Sequence, residues 1–323
     1  MNAIERVSRR VDGFQQGHKG LSVVYAVMKK YGDDNAGVLV SSLTLSAFGT
    51  VFPLLLLLVT ILGLVLSGDK GLYNDVLHSA LNKFPIIGNN LAGNIHALHR
   101  DSALGLVVGI GGLTWGSLGL AQNGIFTMEQ VWNLPGTERP NYIKRLGRSF
   151  GFLALLGVGL IVTTFLAAAE PTEKGGSLPL AVAGGAVSAI VNFGEYLFAF
   201  RMLTPNKVPL KALWPGAALA GAGWTLLQAF GGFVVGHYLR NDSAVYGLFG
   251  LVLGLLAWVF LIVELTVYSA ELNVVLARHL WPRSIVQPPL TDADRRSMAA
   301  QAEQNRRRPE QLVHVTFEEE VKA

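Results

Sequence analysis

The sequence predicts an all-α polytopic membrane protein: a bundle of six transmembrane helices with amphipathic interfacial helices. Three observations carry this. First, 51% of the 323 residues are hydrophobic and 15% are charged, whereas a soluble domain carries roughly 25% charged residues. Second, six stretches of 20 or more residues contain no Asp, Glu, Lys or Arg, and about 20 apolar residues suffice to cross a ~30 Å hydrocarbon core. Third, the basic residues fall unevenly on the two sides of those stretches. Cysteine is absent, which excludes a disulfide scaffold, and the apolar content excludes a disordered chain. The 37 glycines suit closely packed membrane helices.

The uncharged stretches are Asn35–Gly68, Ser102–Met128, Ser149–Ala169, Gly175–Gly194, Ala212–Leu239 and Ser243–Val263. They predict spans at about 36–66, 102–129, 146–169, 178–200, 212–238 and 244–278, within a transmembrane domain covering 36–280. Helices are required because lipid satisfies no backbone hydrogen bonds. Continuous apolar runs of this length do not fit the ~10-residue alternation of a membrane β-barrel. With both termini in the cytoplasm, 21 Lys and Arg lie inside and 5 outside, the arrangement that the positive-inside rule demands. A net charge of +4 then needs no nucleic acid, since anionic headgroups face the basic loops.

Ahead of the first span, residues 1–35 form a cytoplasmic segment. Leu21, Val24, Met28 and Tyr31 recur at helical spacing, which predicts a helix over about 14–31. It lies at the lipid interface or packs beneath the bundle. Pro53 falls inside the first span and predicts a bend, with Thr50 or a neighbouring helix satisfying the carbonyl that proline frees. The external loop 69–101 reads as two amphipathic helices broken at Pro85. Its His78, His96 and His99 suit surface helices better than a metal site, and no metal is expected. Residues 281–323 turn polar, with a cap at Thr291 and Asp294 and then a solvated, mobile tail.

Three stretches carry a family resemblance. They are Phe48-Gly-Thr-Val-Phe-Pro-Leu-Leu-Leu; then Val131-Trp-Asn-Leu-Pro with Glu138-Arg-Pro leading to Lys144-Arg145; then Leu213-Trp-Pro-Gly-Ala, Val245-Tyr-Gly, Ser269-Ala-Glu-Leu-Asn-Val-Val and Leu280-Trp-Pro-Arg. In order and spacing they resemble the YihY/BrkB family of bacterial inner-membrane proteins, formerly labelled ribonuclease BN-like, over roughly residues 20–284. The resemblance implies six membrane helices, the cytoplasmic (inner) membrane of a bacterium, an association with the envelope and virulence, and a lipid-exporting role. It marks Pro53, Trp132, Asn133, Arg139, Trp214, Pro215, Gly216, Tyr246 and Gly247 as structural motif positions. The ribonuclease label fits poorly. A metal-dependent nuclease needs clustered His and carboxylates on one soluble face, and the seven histidines are scattered over both sides.

Ionisable residues inside membrane helices suggest function. Glu129, Glu195, Glu264 and Glu271 all fall in the cytoplasmic third. Glu264 and Glu271 share a helical face with Tyr268 between them, and Asn273 and Arg201 lie nearby. One reading is an acidic vestibule for proton coupling or for a cationic headgroup. The other is helix-end carboxylates paired with Arg201, Arg145 and Arg278. No nucleophile, P-loop or zincin motif is present, so no catalysis and no cofactor is expected. The partners expected are membrane lipids. Two functions follow: a protein that transports or flips a lipid or other amphiphile, or a non-transporting envelope scaffold whose carboxylates are all paired.

Overall fold

The computed structural model describes residues 3–65, 102–139, 141–169, 178–205, 207–237 and 247–317. The expected external loop, with Pro85, His78, His96 and His99, and also Tyr246, lie outside the described residues. Those described are mostly helical, with no strand among them. In chain order the helices are α1 (Ala3–Gly17), α2 (Lys19–Asp33), α3 (Ala36–Val65), α4 (Ser102–Val131), α5 (Tyr142–Ala169), α6 (Leu178–Leu203), α7 (Trp214–His237), α8 (Gly247–Ala277) and α9 (Asp292–Gln304).

Helices α3 to α8 overlie the six uncharged stretches. At ~1.5 Å per residue, the shortest, α7 with 24 residues, is about 36 Å long. Among the described residues, two stretches are both long and apolar enough to cross a membrane outright: Ala186–Leu203 in α6 and Val252–Ala277 in α8; Ala36–Val51 in α3 is apolar but shorter. The six-helix arrangement is therefore visible as architecture. Each of the six packs on the next in chain order, and α8 returns to pack on α3, closing a ring. Across the ring, α4 also touches α6 and α8.

Small residues let the ring close. A Cβ on Gly216 of α7 would collide with the Ser269 carbonyl and the Asn273 side chain of α8, and one on Gly221 would meet the Phe193 backbone of α6 at 2.8 Å. Gly116 of α4 similarly faces the Thr50 backbone of α3 at 3.4 Å. Polar stitches reinforce the crossings. Asn123 of α4 donates to the Ser42 and Ser46 hydroxyls of α3 at 2.8 and 2.9 Å, and Asn192 of α6 to Thr225 of α7 at 3.0 Å. α3 continues helical through Pro53. Thr50 donates to Ser46 at 2.8 Å, so its hydroxyl does not serve the Gly49 carbonyl that proline cannot reach.

The N-terminal segment differs from the single helix expected over 14–31. It breaks at His18 into α1 and α2, because the ring of His18 folds back onto the Phe14 carbonyl at 2.8 Å. Tyr31 turns inward and stacks on Tyr268 at 4.2 Å between ring centroids. Leu21, Val24 and Met28 face outward. Val7, Val11 and Phe14 extend that exposed apolar stripe along α1. α2 thus packs against α8 while leaving one apolar face uncovered.

The polar residues from 281 on dock onto the N-terminal segment. Arg283 is 1% exposed and Asp294 fully buried, and α9 opens with the full capping box of Thr291 and Asp294. Arg306 reaches back to Glu138 at 3.6 Å. The docking comes from charge: a buried Arg283 requires a partner, and Asp294 and Asp33 supply it from both sides.

Candidate functional site: a central cavity above an ionic floor

The ring encloses a partly open cavity of about 330 Å³ to which all six long helices contribute. Its wall is mostly apolar, from Leu43 of α3, Leu120 of α4, Leu155 and Leu156 of α5, Phe200 of α6 and Ile262 of α8. The polar groups cluster on three helices: Asn192, Glu195 and Tyr196 on α6, Trp224 and Gln228 on α7, and Thr266 on α8. The Glu195 carboxylate stands against Gly159 of α5, where an added Cβ would lie 3.1 Å from Oε1. A larger residue there would displace the carboxylate. The volume lies at the lower end of the ~300–1,000 Å³ typical of ligand sites, so it suits one chain or head of an amphiphile.

Glu195 is the one expected carboxylate that reaches this wall. Glu264 does not: it is half-buried on another face of α8, near Tyr31 and Tyr268. The helical period explains this, since Ile262, Val263 and Thr266 line the cavity and leave position 264 turned away. Tyr268 is taken up by its stack on Tyr31, whose hydroxyl burial and the nearby Glu264, Tyr268 and Glu271 push up to about 12.

Glu271, Glu129 and Asn273 lie below the cavity, at the end of the ring that carries both terminal segments. Glu271 pairs with Lys30 of α2 at 2.9 Å, both side chains being fully buried. Lys30 also contacts Asp34 and donates to the Val131 carbonyl at 2.7 Å. Glu129 pairs with Arg139 at 3.5 Å. Of the expected partners, Arg278 donates to the Trp132 carbonyl at the C-terminal end of α4 at 2.6 Å, and Arg201 to the Val208 carbonyl at 3.2 Å. Arg145 donates to the Gln122 carbonyl at 3.4 Å and also adds favourable charge near Glu129. For Glu271 the counter-charge comes from Lys30 of α2.

The motif residues build this floor. α4 and α8 end in matching Schellman turns, with Asn133 at φ 46° and His279 at φ 52°. In each, the following N–H reaches back, Leu134 to Glu129 and Leu280 to Val275, both at 2.9 Å. The Asn133 amide then binds Asp34 and Gln304 at 3.0 Å each. Arg278 lies over the Trp132 ring and Arg139 over Phe126. Asn273 accepts from the Gly216 N–H at 2.6 Å, satisfying one of the orphan donors that open α7. Trp214 beside it is exposed and meets Phe193 edge-on at 5.7 Å. Pro215 needs no donor in this first turn. Gly247 lies away from the floor, where it opens α8.

A second cluster joins the two terminal segments. Asp294 accepts from Arg283 at 2.5 Å, Lys29 at 3.0 Å and the Ser284 hydroxyl at 2.6 Å. Burial alone raises its pKa, but the bonds from Ser284, Arg283 and Lys29 outweigh burial and hold it well below the usual carboxylate range. Arg283 also binds Asp33 at 2.7 Å, and Asp12 accepts from the Ile285 N–H at 3.0 Å. Sequence reasoning did not single out Lys30, Asp34 or Arg283 as site residues. A signal existed for Lys30: it continues the buried small-residue stripe of Ser22 and Ala26 on α2.

A family model described as Virulence factor BrkB matches residues 27–289, well over half of the chain. The chain belongs to the BrkB family. The match takes in the cavity and its floor, from just before Lys30 to just after Arg283. A Bacillus subtilis (strain 168) protein described as ribonuclease-like, YfkH, is 33% identical over 79 residues, which is 24% of this chain and 28% of that protein. The chain therefore matches little more than a quarter of that relative's length. No solved structure matches it. BrkB membership supports membrane character, and with it the apolar helices of the ring. Among the described residues, no group of three His, Asp or Glu is placed to hold a metal ion.

Proposed function

We propose that this BrkB-family chain is a six-span protein of the bacterial inner membrane, both termini cytoplasmic, that transports or flips a lipid or other amphiphile through its central cavity. The supporting observation is the cavity itself: one enclosed by all six long helices, apolar over most of its wall, with a carboxylate and amides gathered on one side. An amphiphile needs both surfaces at once. The ionic floor fits a seal on the cytoplasmic side, since its buried charges are cross-linked between α2, α4, α8 and α9. The exposed stripe of Val7, Val11, Phe14, Leu21, Val24 and Met28, beside Arg6, Arg10 and Lys19, fits the anionic face of the inner leaflet. The protein is proposed to be no enzyme, to need no cofactor and to bind no nucleic acid.

The second reading, an envelope scaffold, draws on the same floor. Glu271 and Glu129 are fully buried and paired, as a structural role requires. Vesicles carrying a fluorescent phospholipid in both leaflets separate the two readings, with an external reductant reporting exchange. Transport predicts that the purified protein accelerates loss of the inner-leaflet signal, that Glu195→Gln slows it, and that Glu264→Gln, outside the cavity wall, leaves it near the parent rate. Equal rates with and without protein sink the transport reading.

A further inference from the structure

Three helices converge at the lower mouth of the cavity, next to the ionic floor. A Cβ on Gly151 of α5 would meet Met202 of α6 at 2.5 Å, and one on Gly124 of α4 would meet Leu203 at 3.3 Å. Arg201 directly precedes Met202. On α5, Arg145, Arg148 and Phe152 recur at i, i+3 and i+7 and share one face, and Phe152 lines the cavity. Arg139 enters from the turn after α4, its guanidinium over the Phe126 ring and 3.5 Å from Glu129. The charges of Arg145, Arg139 and Arg148 all act on the Glu129 carboxylate, and Arg148 in turn feels that of Arg201. We propose that this mouth binds a phosphate group, held by Arg139, Arg145, Arg148 and Arg201. Its biological use rests on the transport reading above; the site itself does not.

The charge balance favours an anion with every neighbouring acid counted in full. Glu129 is fully buried. Glu195 stands on the wall six residues before Arg201, about 9 Å away along α6. Glu138 pairs with Lys207 at 3.0 Å and with Arg306 at 3.6 Å, and Arg306 also with Glu303 at 3.3 Å. Six cations, the four arginines with Lys207 and Arg306, thus face four carboxylates. On the adjoining floor Lys30 and Arg278 match Glu271 and Asp34 and leave the excess unchanged. A phosphomonoester, at about −1.5 to −2 near pH 7, balances it. Donors remain as well as charge. Arg139 Nε and Arg145 Nε are buried and make no hydrogen bond among the described residues, and neither oxygen of Glu129 accepts one. Each guanidinium is a planar fork that grips phosphate through two N–H groups at once. Met128, Phe152, Phe200 and Leu203 carry the apolar lining down to the arginines, so a chain attached to the phosphate has the cavity to enter.

The test uses the full chain in dodecyl maltoside, a detergent with neither phosphate nor charge, and isothermal titration calorimetry. Three probes are compared: decyl phosphate, inorganic phosphate, and decyltrimethylammonium, which carries the same chain on a cationic head. The expected result is saturable binding of decyl phosphate, weakened at least tenfold in Arg145→Gln and in Arg148→Gln. Glu129→Gln removes a competing carboxylate at nearly constant shape and is expected to tighten it, whereas a merely structural ion pair would not. Inorganic phosphate tells the two sources apart. Binding at least tenfold weaker than that of decyl phosphate identifies a lipid headgroup, and equal binding identifies free phosphate; both support the site. Circular dichroism and the thermal midpoint establish that each variant is folded. Folded Arg145→Gln and Arg148→Gln proteins with undiminished phosphate binding overturn the proposal. So does a folded Glu129→Gln that binds phosphate less tightly, or an ammonium probe that binds as tightly as decyl phosphate. The two readings fail separately. Saturable phosphate binding without lipid exchange would remove transport alone, and exchange by a parent protein that binds no phosphate would remove this site alone.

Discussion

Replacing Lys30 by Met removes the cation that holds two buried carboxylates, and the cost follows from what is left behind. The Lys30 and Glu271 side chains are fully buried and that of Asp34 is 2% exposed. Removing one partner of a buried ion pair costs about 3–5 kcal/mol, because the other charge stays in place uncompensated. Asp34 keeps amide donors from Asn133 at 3.0 Å and Gln301 at 3.3 Å. The penalty therefore falls mainly on Glu271, which takes its counter-charge from Lys30. Glu271→Gln leaves Lys30 paired with Asp34 and is expected to cost less, about 1–3 kcal/mol for the disturbed hydrogen bonding. Combining Lys30→Met with Glu271→Leu removes both charges, and apolar replacement of a buried pair is often neutral or better. The double variant is therefore expected to recover most of the loss. Unfolding by SDS titration in mixed micelles, followed by tryptophan fluorescence, gives all four stabilities. A Lys30→Met protein as stable as the parent, or a double variant less stable than Lys30→Met alone, would refute this account of the floor.

Three further expectations follow from the same geometry. Gly216→Ala drives a Cβ into the Ser269 carbonyl and Asn273 and should cost about 1–3 kcal/mol. Gly49→Ala, with nothing within 4 Å of the new carbon, should be neutral or slightly stabilising; the same titration compares them. Asp294 has a lowered pKa in the folded chain. Its contribution is therefore complete above its ordinary value of ~3.9 and is lost as the pH falls from there through the lowered value. Asp294→Asn should destabilise at pH 7 and flatten the acid limb of a thermal-unfolding profile, and an unchanged limb would contradict the assignment. Finally, the chain has no cysteine, so single cysteines report topology cleanly. Glu310→Cys should react with an impermeant maleimide only in inverted vesicles, and Ser243→Cys only in right-side-out ones.

The helices were legible because lipid imposes a strong rule: an uncharged stretch of 20 residues leaves little alternative to a helix. Among the described residues, α4 and α6 run two and three residues past their expected C-terminal ends and α5 begins four residues earlier than expected. The capping box at Thr291 and Asp294 was legible for a similar reason, since it is a local pattern. Pairing was not. Whether Glu271 meets Arg278 or Lys30 depends on where α2 crosses α8, and 241 positions separate Lys30 from Glu271. The docking of the C-terminal segment was hidden in the same way, because Arg283 and Asp294 meet Asp33 and Lys29 across 250 or more positions of sequence. Of the four carboxylates singled out, helical phase decided which one reached the cavity. Neighbouring helices fix that phase, and a single chain does not display them.

The central claim is that the cavity within the six-helix ring is the route of an amphiphile, and filling it tests that claim most directly. Ala199 of α6 and Leu156 of α5 both line it, so Ala199→Trp and Leu156→Trp place a large ring in its volume without touching the ionic floor. Lipid exchange in vesicles should fall at least tenfold in both variants, while the SDS unfolding midpoint stays near that of the parent. Exchange at the parent rate through a filled cavity would contradict the account.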